Sequence, residues 1–336
     1  MIAMETRDFS QEEWHNVLGL FSDTSLIQLW EYGKAKQELQ GWEVVHHIFR
    51  NGQTIVGVAQ AMVKRIPVLR KGVVWLNRGP LWQQRDQIPQ PEAVADMLRA
   101  LKQYWVAERG MYLRVAPTLY EAEDALAILS RAGFRLIKDA AWVSARLDLC
   151  QSVEALRANL EKKWRNGLKK AETFGLEHTI GNGPENTQHL LEDYEEFLRK
   201  KNFSTPVTAQ FVGSLQRMLP DPQKMWVLSA FDRGRRLGSI LLAPYNTTVE
   251  YLVGALGEDG KRLNAGQYLL WNGILEMKQR GYERFDLGGM HPQKTPVGIL
   301  RFKQGLGATS YALMGSGEAY QGVIARGIRL LVESRL

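Results

Sequence analysis

The sequence predicts an α/β (α+β) fold built from two similar domains in tandem. Strand-like and helix-like segments alternate along the chain, and their order in the first half recurs in the second. The joints also recur. The helix ends ERGMYLRV (108–115) and QRGYERFD (279–286) each close on glycine and enter an apolar strand. The hairpin turns RNGQTIVG (50–57) and DRGRRLGS (232–239) are both polar, glycine-bearing and followed by a β run. A repeat of about 150 residues is the simplest source of such pairs. The length of 336 residues agrees with two domains.

The elements follow from periodicity and punctuation. Residues 43–50 alternate like a strand, Asn51-Gly52 turns the chain, and 54–65 return. Residues 72–76 form a further strand. Residues 91–109 have helical spacing, with Val94, Met97, Leu98, Leu101 and Trp105 on one face, and Gly110 ends the helix. A strand at 111–115, a helix at 122–131 ended near Gly133, and strand patterns across 135–149 complete the first half. In the second half, helices are expected at 152–174, 186–201 and 208–218. Strands follow at 225–231, 237–244 and 249–256, then a helix at 265–279 and a strand at 284–287. An antiparallel hairpin region leading to helix–strand–helix–strand is the order of a GNAT-like (acyl-CoA N-acyltransferase-like) domain. The expected boundaries are 1–150 for the first domain and 151–317 for the second. A C-terminal helix is expected at 318–336, and a cleft between the two domains.

Composition excludes several classes. The apolar fraction is 45% and the charged fraction 24%, as in a globular protein. No apolar run reaches the length of a membrane span. The start MIAMETRDFSQEEW has neither a signal-peptide nor a transit-peptide pattern, so a cytoplasmic location is expected. The single cysteine, Cys150, leaves no internal disulfide and reads as an inert, partly buried thiol. No metal site is expected. His15, His178, His189 and His291 lack ligand spacing, and adjacent His46 and His47 point to opposite faces of a strand. The net charge of +7 favours polyanionic partners, whether tRNA, nucleotide phosphates or membrane surfaces. Much of the basic character is local, in EKKWRNGLKK (161–170).

The stretch YERFDLGGMHPQKTPVGILRFKQGLG (282–307) concentrates the chemistry. A short strand ends in Gly288-Gly289, a polar loop with Pro292 and Pro296 follows, and a helical turn presents Phe302-Lys303 before Gly305 and Gly307. A lysine held between glycine-bracketed turns near a strand end is either a surface side chain or an aimed reactive group.

Phe285-Asp286-Leu287-Gly288-Gly289, then Phe302-Lys303-x-Gly305-x-Gly307, resembles the FemABX family, whose members are two GNAT-like domains; the resemblance implies that helix 318–336 returns to complete the first domain, as in compact members. Further pieces resemble it in order: WEYGKAK (30–36) with Gly41-Trp42, Asn77-Arg78-Gly79-Pro80, Leu113-Arg114 before Pro117, the basic helix, and AGQYLLW (265–271). The resemblance implies transfer of an amino acid from aminoacyl-tRNA to an amine of a peptide or peptidoglycan (cell-wall) precursor, with no cofactor. By resemblance Lys303 stabilises the tetrahedral intermediate, with Phe302 shaping the site. Asp286 accepts the amine proton or orders the Gly288-Gly289 loop. Lys36 meets a nucleotide diphosphate, and Arg78 lines the substrate cleft. Lys162, Lys163, Arg165, Lys169 and Lys170 would track tRNA phosphates, with Trp164 available to stack. His291 is a candidate proton shuttle.

Departures from the family pattern concern the acceptor. An aspartate after the Leu-Arg strand is replaced in Leu113-Arg114-Val115-Ala116-Pro117. An arginine and a tyrosine are replaced in Thr205-Pro206-Val207-Thr208-Ala209-Gln210. A tyrosine near the end of strand 249–256 is missing, with Val253 and Gly254 in that region. Together these argue that the acceptor is not the usual UDP-muropeptide, or is held differently. Two alternatives stay open. One is an acyl-CoA-dependent N-acyltransferase, for which Arg262-Leu263-Asn264-Ala265-Gly266-Gln267 is a degenerate form of the pyrophosphate motif Q/R-x-x-G-x-G/A. The other is a non-catalytic binding module. The sequence does not fix the oligomeric state.

Overall fold

A computed structural model describes residues 2–88, 90–121, 123–137, 141–201, 205 and 207–333. The chain divides into two compact units, one formed by Met1–Trp142 with Ala312–Leu336 and the other by Val143–Tyr311. The first unit contains β1 (Ile2–Thr6), α1 (Gln11–Leu18), α2 (Trp30–Gln40), β2 (Glu43–Asn51), β3 (Thr54–Arg65) and β4 (Gly72–Asn77). It continues with α3 (Glu92–Lys102), β5 (Tyr112–Ala116), α4 (Glu123–Arg131) and β6 (Arg135–Ile137). The second contains β7 (Val143–Asp148), α5 (Val153–Ala158), α6 (Lys162–Thr173), β8 (Glu177–Gly181), α7 (Pro184–Lys201) and α8 (Ala209–Met218). Then come β9 (Trp226–Asp232), β10 (Arg235–Tyr245), β11 (Thr248–Leu256), α9 (Glu258–Arg262) and α10 (Ala265–Gln279). The short β12 (Arg284–Asp286), α11 (Val297–Gln304) and β13 (Thr309–Ala312) follow. The chain then returns to the first unit as β14 (Ser316–Ala319) and α12 (Gly322–Glu333).

Each unit holds a seven-stranded sheet, in the orders β1-β2-β3-β4-β5-β14-β6 and β13-β7-β12-β11-β10-β9-β8. Read from β1 and from β8, the two orders superpose strand for strand. In both, the fourth and fifth strands are parallel, β4 with β5 and β11 with β12. A crossover containing α3 or α10 joins each of these pairs. The strand beyond each parallel pair is antiparallel: β14 beside β5 and β7 beside β12.

Apolar periodicity explains the layers. The α3 stripe Val94, Met97, Leu98 and Leu101 is buried with Trp105 against Phe49, Ala59, Val74 and Leu113 of the first sheet. In the second unit, α10 buries Leu269, Leu270, Ile274 and Met277 against Leu228, Ile240, Leu242 and Phe285. The β9–β10 hairpin turns through Arg233 and Gly234, both at positive φ, as a two-residue turn between twisted strands demands. A capping box closes α1, with Ser10 accepting from the Glu13 N–H and Glu13 accepting from the Ser10 N–H.

Several expectations are corrected. The helix expected at 152–174 is two helices, broken at 159–161. The cause lies far along the chain. The Glu161 N–H donates to the Gly305 carbonyl at 2.9 Å, and a Cβ at Gly307 would lie 2.1 Å from the Asn159 carbonyl oxygen. The end of α11 therefore docks into the break. The strand patterns at 135–149 are β6 and β7, which belong to different sheets, so the division falls at 142/143 rather than 150. Glu318 lies in β14 rather than opening a helix, because its buried carboxylate accepts from Tyr112 Oη (2.8 Å), Arg135 Nε (2.7 Å) and Arg329 Nε (2.9 Å). The helix starts at Gly322. Cys150 is exposed, not partly buried. Ala122, at the start of one expected helix, and residues 334–336, at the end of another, lie outside the described residues.

The docking of α11 makes a testable claim. Gly307 has φ +66° and no room for a Cβ, whereas Gly281 has φ +86° and open space. Gly307→Ala is expected to cost about 3 kcal/mol from left-handed strain plus overpacking, and Gly281→Ala only about 1–2 kcal/mol from strain. Urea unfolding of the two variants measures the difference.

Candidate active site

The site of interest forms where β11 and β12 part. Their pairing runs Thr248↔Arg284, Val249↔Phe285 and Glu250↔Asp286, and there β12 stops. β11 runs on to Leu256 while the other chain turns away through Gly288 and Gly289. On the far side of β11 the register slips between Leu241 and Leu242, which face Val253 and Tyr251. Such a bulge re-aims the side chains around it.

Asp286 closes the end of the parallel pair. It is 2% exposed. Its Oδ1 accepts the Gly288 N–H at 2.9 Å. Its Oδ2 accepts Arg146 Nε at 2.9 Å and the Tyr311 hydroxyl at 2.6 Å. The Ser144 hydroxyl sits 2.6 Å from Oδ1 and 2.7 Å from the Gly288 carbonyl, donating to one at a time. Both carboxylate oxygens are thereby taken up by donors, one of them a guanidinium. The geometry matches the loop-ordering role of Asp286 rather than that of a general base.

The loop it orders seats Lys303. Gly288 has φ +66°, and a Cβ there would lie 2.9 Å from the Tyr251 carbonyl, 3.5 Å from Glu250 Oε1 and 3.6 Å from Lys303 Nζ. Only glycine fits such a position. Lys303, on α11, donates to the Gly289 carbonyl at 3.1 Å, and its Nζ lies 5.4 Å from the centre of the Tyr251 ring. The side chain is 7% exposed. Burial pulls its pKa down to about 8, against the opposing pull of Glu250 and Asp286. Lys303 is thus a cation at neutral pH, but one close to losing its proton. Glu250 is half-buried and accepts the Tyr245 hydroxyl at 3.4 Å. Burial pushes the Tyr251 phenol up to about 12, so it stays protonated.

Phe302, the neighbour of Lys303, points elsewhere. Its ring lies 6.0 Å from that of Trp164 and within 3.6 Å of the Cβ position of Gly266. It anchors α11 on α6 and α10. Gly305 completes this contact, since a Cβ there would lie 2.6 Å from Trp164 Cδ1. Trp164 is 4% exposed and unavailable for stacking on a base.

The start of α10 is covered. Ala265 and Gly266 are buried. Gly167 of α6 faces the Asn264 and Gln267 side chains, and Leu256 and Phe302 lie against Gly266. On α6 itself, Lys162, Lys163, Lys169 and Lys170 are exposed, and their seven-residue spacing puts them along one stripe. Arg165 is half-buried and donates to the Ala158 carbonyl at 3.2 Å.

Two expected ligand contacts belong to the first unit. Lys36 is half-buried on α2, its pKa lowered by burial, and donates to Gln40 Oε1 at 3.2 Å beside the Tyr32 ring. Arg78, at φ +57°, stacks 4.5 Å from the centre of the Trp142 ring. His291 Nδ1 accepts the backbone N–H of Gln293 (3.1 Å) and Lys294 (3.2 Å), which makes it a loop cap rather than a shuttle. Among the described residues no cluster of metal-ligating side chains occurs.

Sequence reasoning missed Ser144, Arg146, Tyr245, Glu250, Tyr251 and Tyr311. Tyr251 stands in β11 beside the bulge, three residues before Gly254. Its hydroxyl lies 2.1 Å from where a Cβ of Gly254 would be, so Gly254 makes room for it.

Comparison with known proteins places this architecture. Residues 156–304 match the acetyltransferase (GNAT) domain family. No curated protein matches the sequence significantly. The crystal structure of FemX superposes with a TM-score of 0.81 at 16% identity, covering 98% of this chain and 100% of that one. A tandem GNAT protein from the clavulanic acid biosynthesis pathway is similar at TM-score 0.50 and 11% identity, covering 96% of this chain and 99% of that one. The L-PGS structure from Bacillus licheniformis is similar at TM-score 0.50 and 15% identity, over 83% of this chain and 85% of that one. The chain therefore has the tandem GNAT-like fold, and its likeness to FemABX proteins holds at the level of that fold. Among the described residues no helix is long and apolar enough to cross a membrane.

The role given to Asp286 is testable by stability. Asp286→Asn puts an amide donor among the donors of Arg146, Tyr311, Ser144 and Gly288. Losing charge-assisted hydrogen bonds at a buried carboxylate whose arginine partner is 30% exposed should cost about 1.5–3 kcal/mol, a loss that urea unfolding would register.

Proposed function

We propose that the protein is a FemABX-type aminoacyltransferase. It moves an amino acid from aminoacyl-tRNA to an amine of a peptide or cell-wall precursor, forming an amide. The observation that carries this reading is the buried ammonium of Lys303, fixed at the parting of β11 and β12 by the Gly289 carbonyl and bordered by Tyr251 and Glu250. Ester aminolysis needs a neutral amine, an exposed carbonyl and a partner for the oxyanion. The Lys303 ammonium stabilises that oxyanion. As the intermediate collapses, the C–O bond to the tRNA ribose breaks, and the departing oxygen takes a proton. The attacking amine gives up one proton in the same sequence, and Glu250 is the carboxylate placed to receive it. Asp286 holds the loop and does not enter the proton transfer.

The rival acyl-CoA reading requires backbone amides at a helix start to cradle a pyrophosphate. In the second unit that start, at Ala265 and Gly266, lies under α6 and Phe302. This favours the tRNA donor over acyl-CoA. The exposed α6 stripe offers phosphate contacts at an adjoining place on the same unit.

Donor discrimination tests the proposal. Purified protein is given radiolabelled aminoacyl-tRNA pools with an extract containing cell-wall precursors, and in parallel acyl-CoAs with thiol detection. Label passing to a small product, and abolished by ribonuclease pretreatment, is expected. Thiol release without transfer from tRNA would replace the reading with an acyl-CoA enzyme.

Two variant sets follow. Lys303→Ala should lower kcat about 100- to 1000-fold, the usual effect of removing one oxyanion partner. Lys303 is charged below about pH 8 and neutral above it. The wild-type rate should therefore fall as pH rises through about 8, and in Lys303→Arg that limb should shift to much higher pH, since guanidinium keeps its proton. Replacing Lys162, Lys163, Lys169 and Lys170 together by Gln should weaken tRNA binding at low salt. It should also flatten the log-affinity against log-salt plot by roughly 0.7–0.9 per lost contact.

A further inference from the structure

The connection between β3 and β4 is unlike an ordinary surface turn. It reads Lys64-Arg65-Ile66-Pro67-Val68-Leu69-Arg70-Lys71, and residues 64–70 are all exposed. Val68 is 91% exposed, Leu69 46% and Ile66 36%. Turn tips normally carry Gly, Asn, Asp or Ser. Here the apex carries the aliphatic side chains of Ile66, Val68 and Leu69, with cations at 64, 65, 70 and 71 on either side.

The turn is also closed on itself. The Ile66 N–H donates to the Lys71 carbonyl at 2.8 Å. The N–H groups of Leu69 and Arg70 donate to the Ile66 carbonyl at 3.1 and 3.0 Å. Pro67 has no N–H to satisfy. The donors of Ile66, Leu69 and Arg70 are thus satisfied within the turn, which lowers the cost of moving them toward an apolar medium. At the base, Lys64 Nζ lies 5.6 Å from the centre of the half-buried Trp42 ring and donates to the Gln40 carbonyl. Arg65 pairs with Glu43. Tryptophan and lysine at the level just behind an apolar tip suit the headgroup region of a bilayer.

We propose that turn 66–71 docks the chain onto an anionic lipid bilayer. Val68 and Leu69 enter the acyl boundary, and Lys64 and Arg70 meet lipid phosphates. The layering decides for a lipid surface over an acidic protein. Apolar groups occupy the outermost level and cations the level behind it, the order in which a bilayer presents hydrocarbon behind phosphate. An acidic protein surface would meet the cations first and leave Val68 in water. The proposal stands independently of the reaction assigned to Lys303.

Vesicle sedimentation tests it with the full chain. Vesicles of phosphatidylglycerol and phosphatidylcholine in equal parts are compared with phosphatidylcholine alone. The protein should pellet with the anionic vesicles and stay in solution with the neutral ones. Val68→Ser with Leu69→Ser, and separately Lys64→Glu with Arg70→Glu, should each weaken partitioning by about tenfold or more. Val323→Ser, a change at an 87%-exposed apolar residue on α12, should leave it unaltered. Because these side chains are exposed, melting temperatures should match the parent and exclude misfolding as the cause. A Val68→Cys variant in a Cys150→Ser background, carrying an environment-sensitive fluorophore, should shift to the blue on anionic vesicles only. Failure of the parent to pellet would overturn the proposal and leave a protein partner for the turn. Equal pelleting of parent and the Val68/Leu69 variant, or a label that stays in water, would overturn it by placing attachment elsewhere.

Discussion

Asp286 is the interaction on which the second unit's chemistry depends. Its carboxylate collects Arg146 and Ser144 from β7, Tyr311 from β13 and the Gly288 N–H from its own chain. These contacts end the parallel pair and fix the direction in which the chain leaves it. Gly288 follows at positive φ, and Gly289 then presents the carbonyl that receives Lys303. One buried charge thus sets the loop, and the loop sets the second buried charge. A neutral residue in place of Asp286 would leave the part-exposed Arg146 guanidinium and the Tyr311 phenol to be satisfied some other way.

The first unit solves the same problem with different residues. Its equivalent strands are β5, β14 and β6, where the second unit has β12, β7 and β13. Glu318 on β14 is 1% exposed and accepts from Tyr112 of β5, Arg135 of β6 and Arg329 of α12. Each sheet therefore pins its last three strands through one buried carboxylate that bonds an arginine and a tyrosine. The carboxylate sits on the parallel strand in the second unit and on the antiparallel strand in the first. Only the second arrangement brings the carboxylate to the end of the parallel pair, where it can order the loop that seats a lysine. The duplication preserves the sheet and its pinning, while the lysine seat belongs to one copy.

Much of this was legible in the sequence. Helix α10 matches its expected span, the hairpins follow their glycine turns, and the repeat in the joints corresponds to the repeat in strand order. Asp286, Gly288, Gly289 and Lys303 were singled out, and the structure brings them together. What escaped depended on distant partners. Ser144 and Arg146 meet Asp286 across more than a hundred residues and have no local pattern to mark them. The break before α6 is made by Gly307, whose close approach to Asn159 forbids the continuous helix that the 152–174 periodicity describes. Tyr251 was overlooked because alternation assumes an unbroken register, and the bulge at Leu241–Leu242 breaks it. Trp164 looked available for stacking because its neighbours are lysines. Yet its helical spacing with Leu168 and Ala171 already put it on the buried face.

Lys303 sits between opposed demands. Burial disfavours its charge, while Glu250 and Asp286 favour it, and the balance leaves a pKa of about 8. A lysine fully exposed would keep its charge but share it with water, where a hydrogen bond to an oxyanion gains little. A lysine buried without carboxylates would shed its proton and could not stabilise a negative charge at all. The seat between Gly289, Tyr251 and the two acids keeps the ammonium charged at neutral pH and largely dry, and therefore strong toward a charge that develops beside it. The same balance bears on the division of labour between the carboxylates. Asp286 is 2% exposed and held by four donors, whereas Glu250 is half-buried beside the same loop. One acid therefore fixes the loop, while both carboxylates hold the neighbouring ammonium in its charged form.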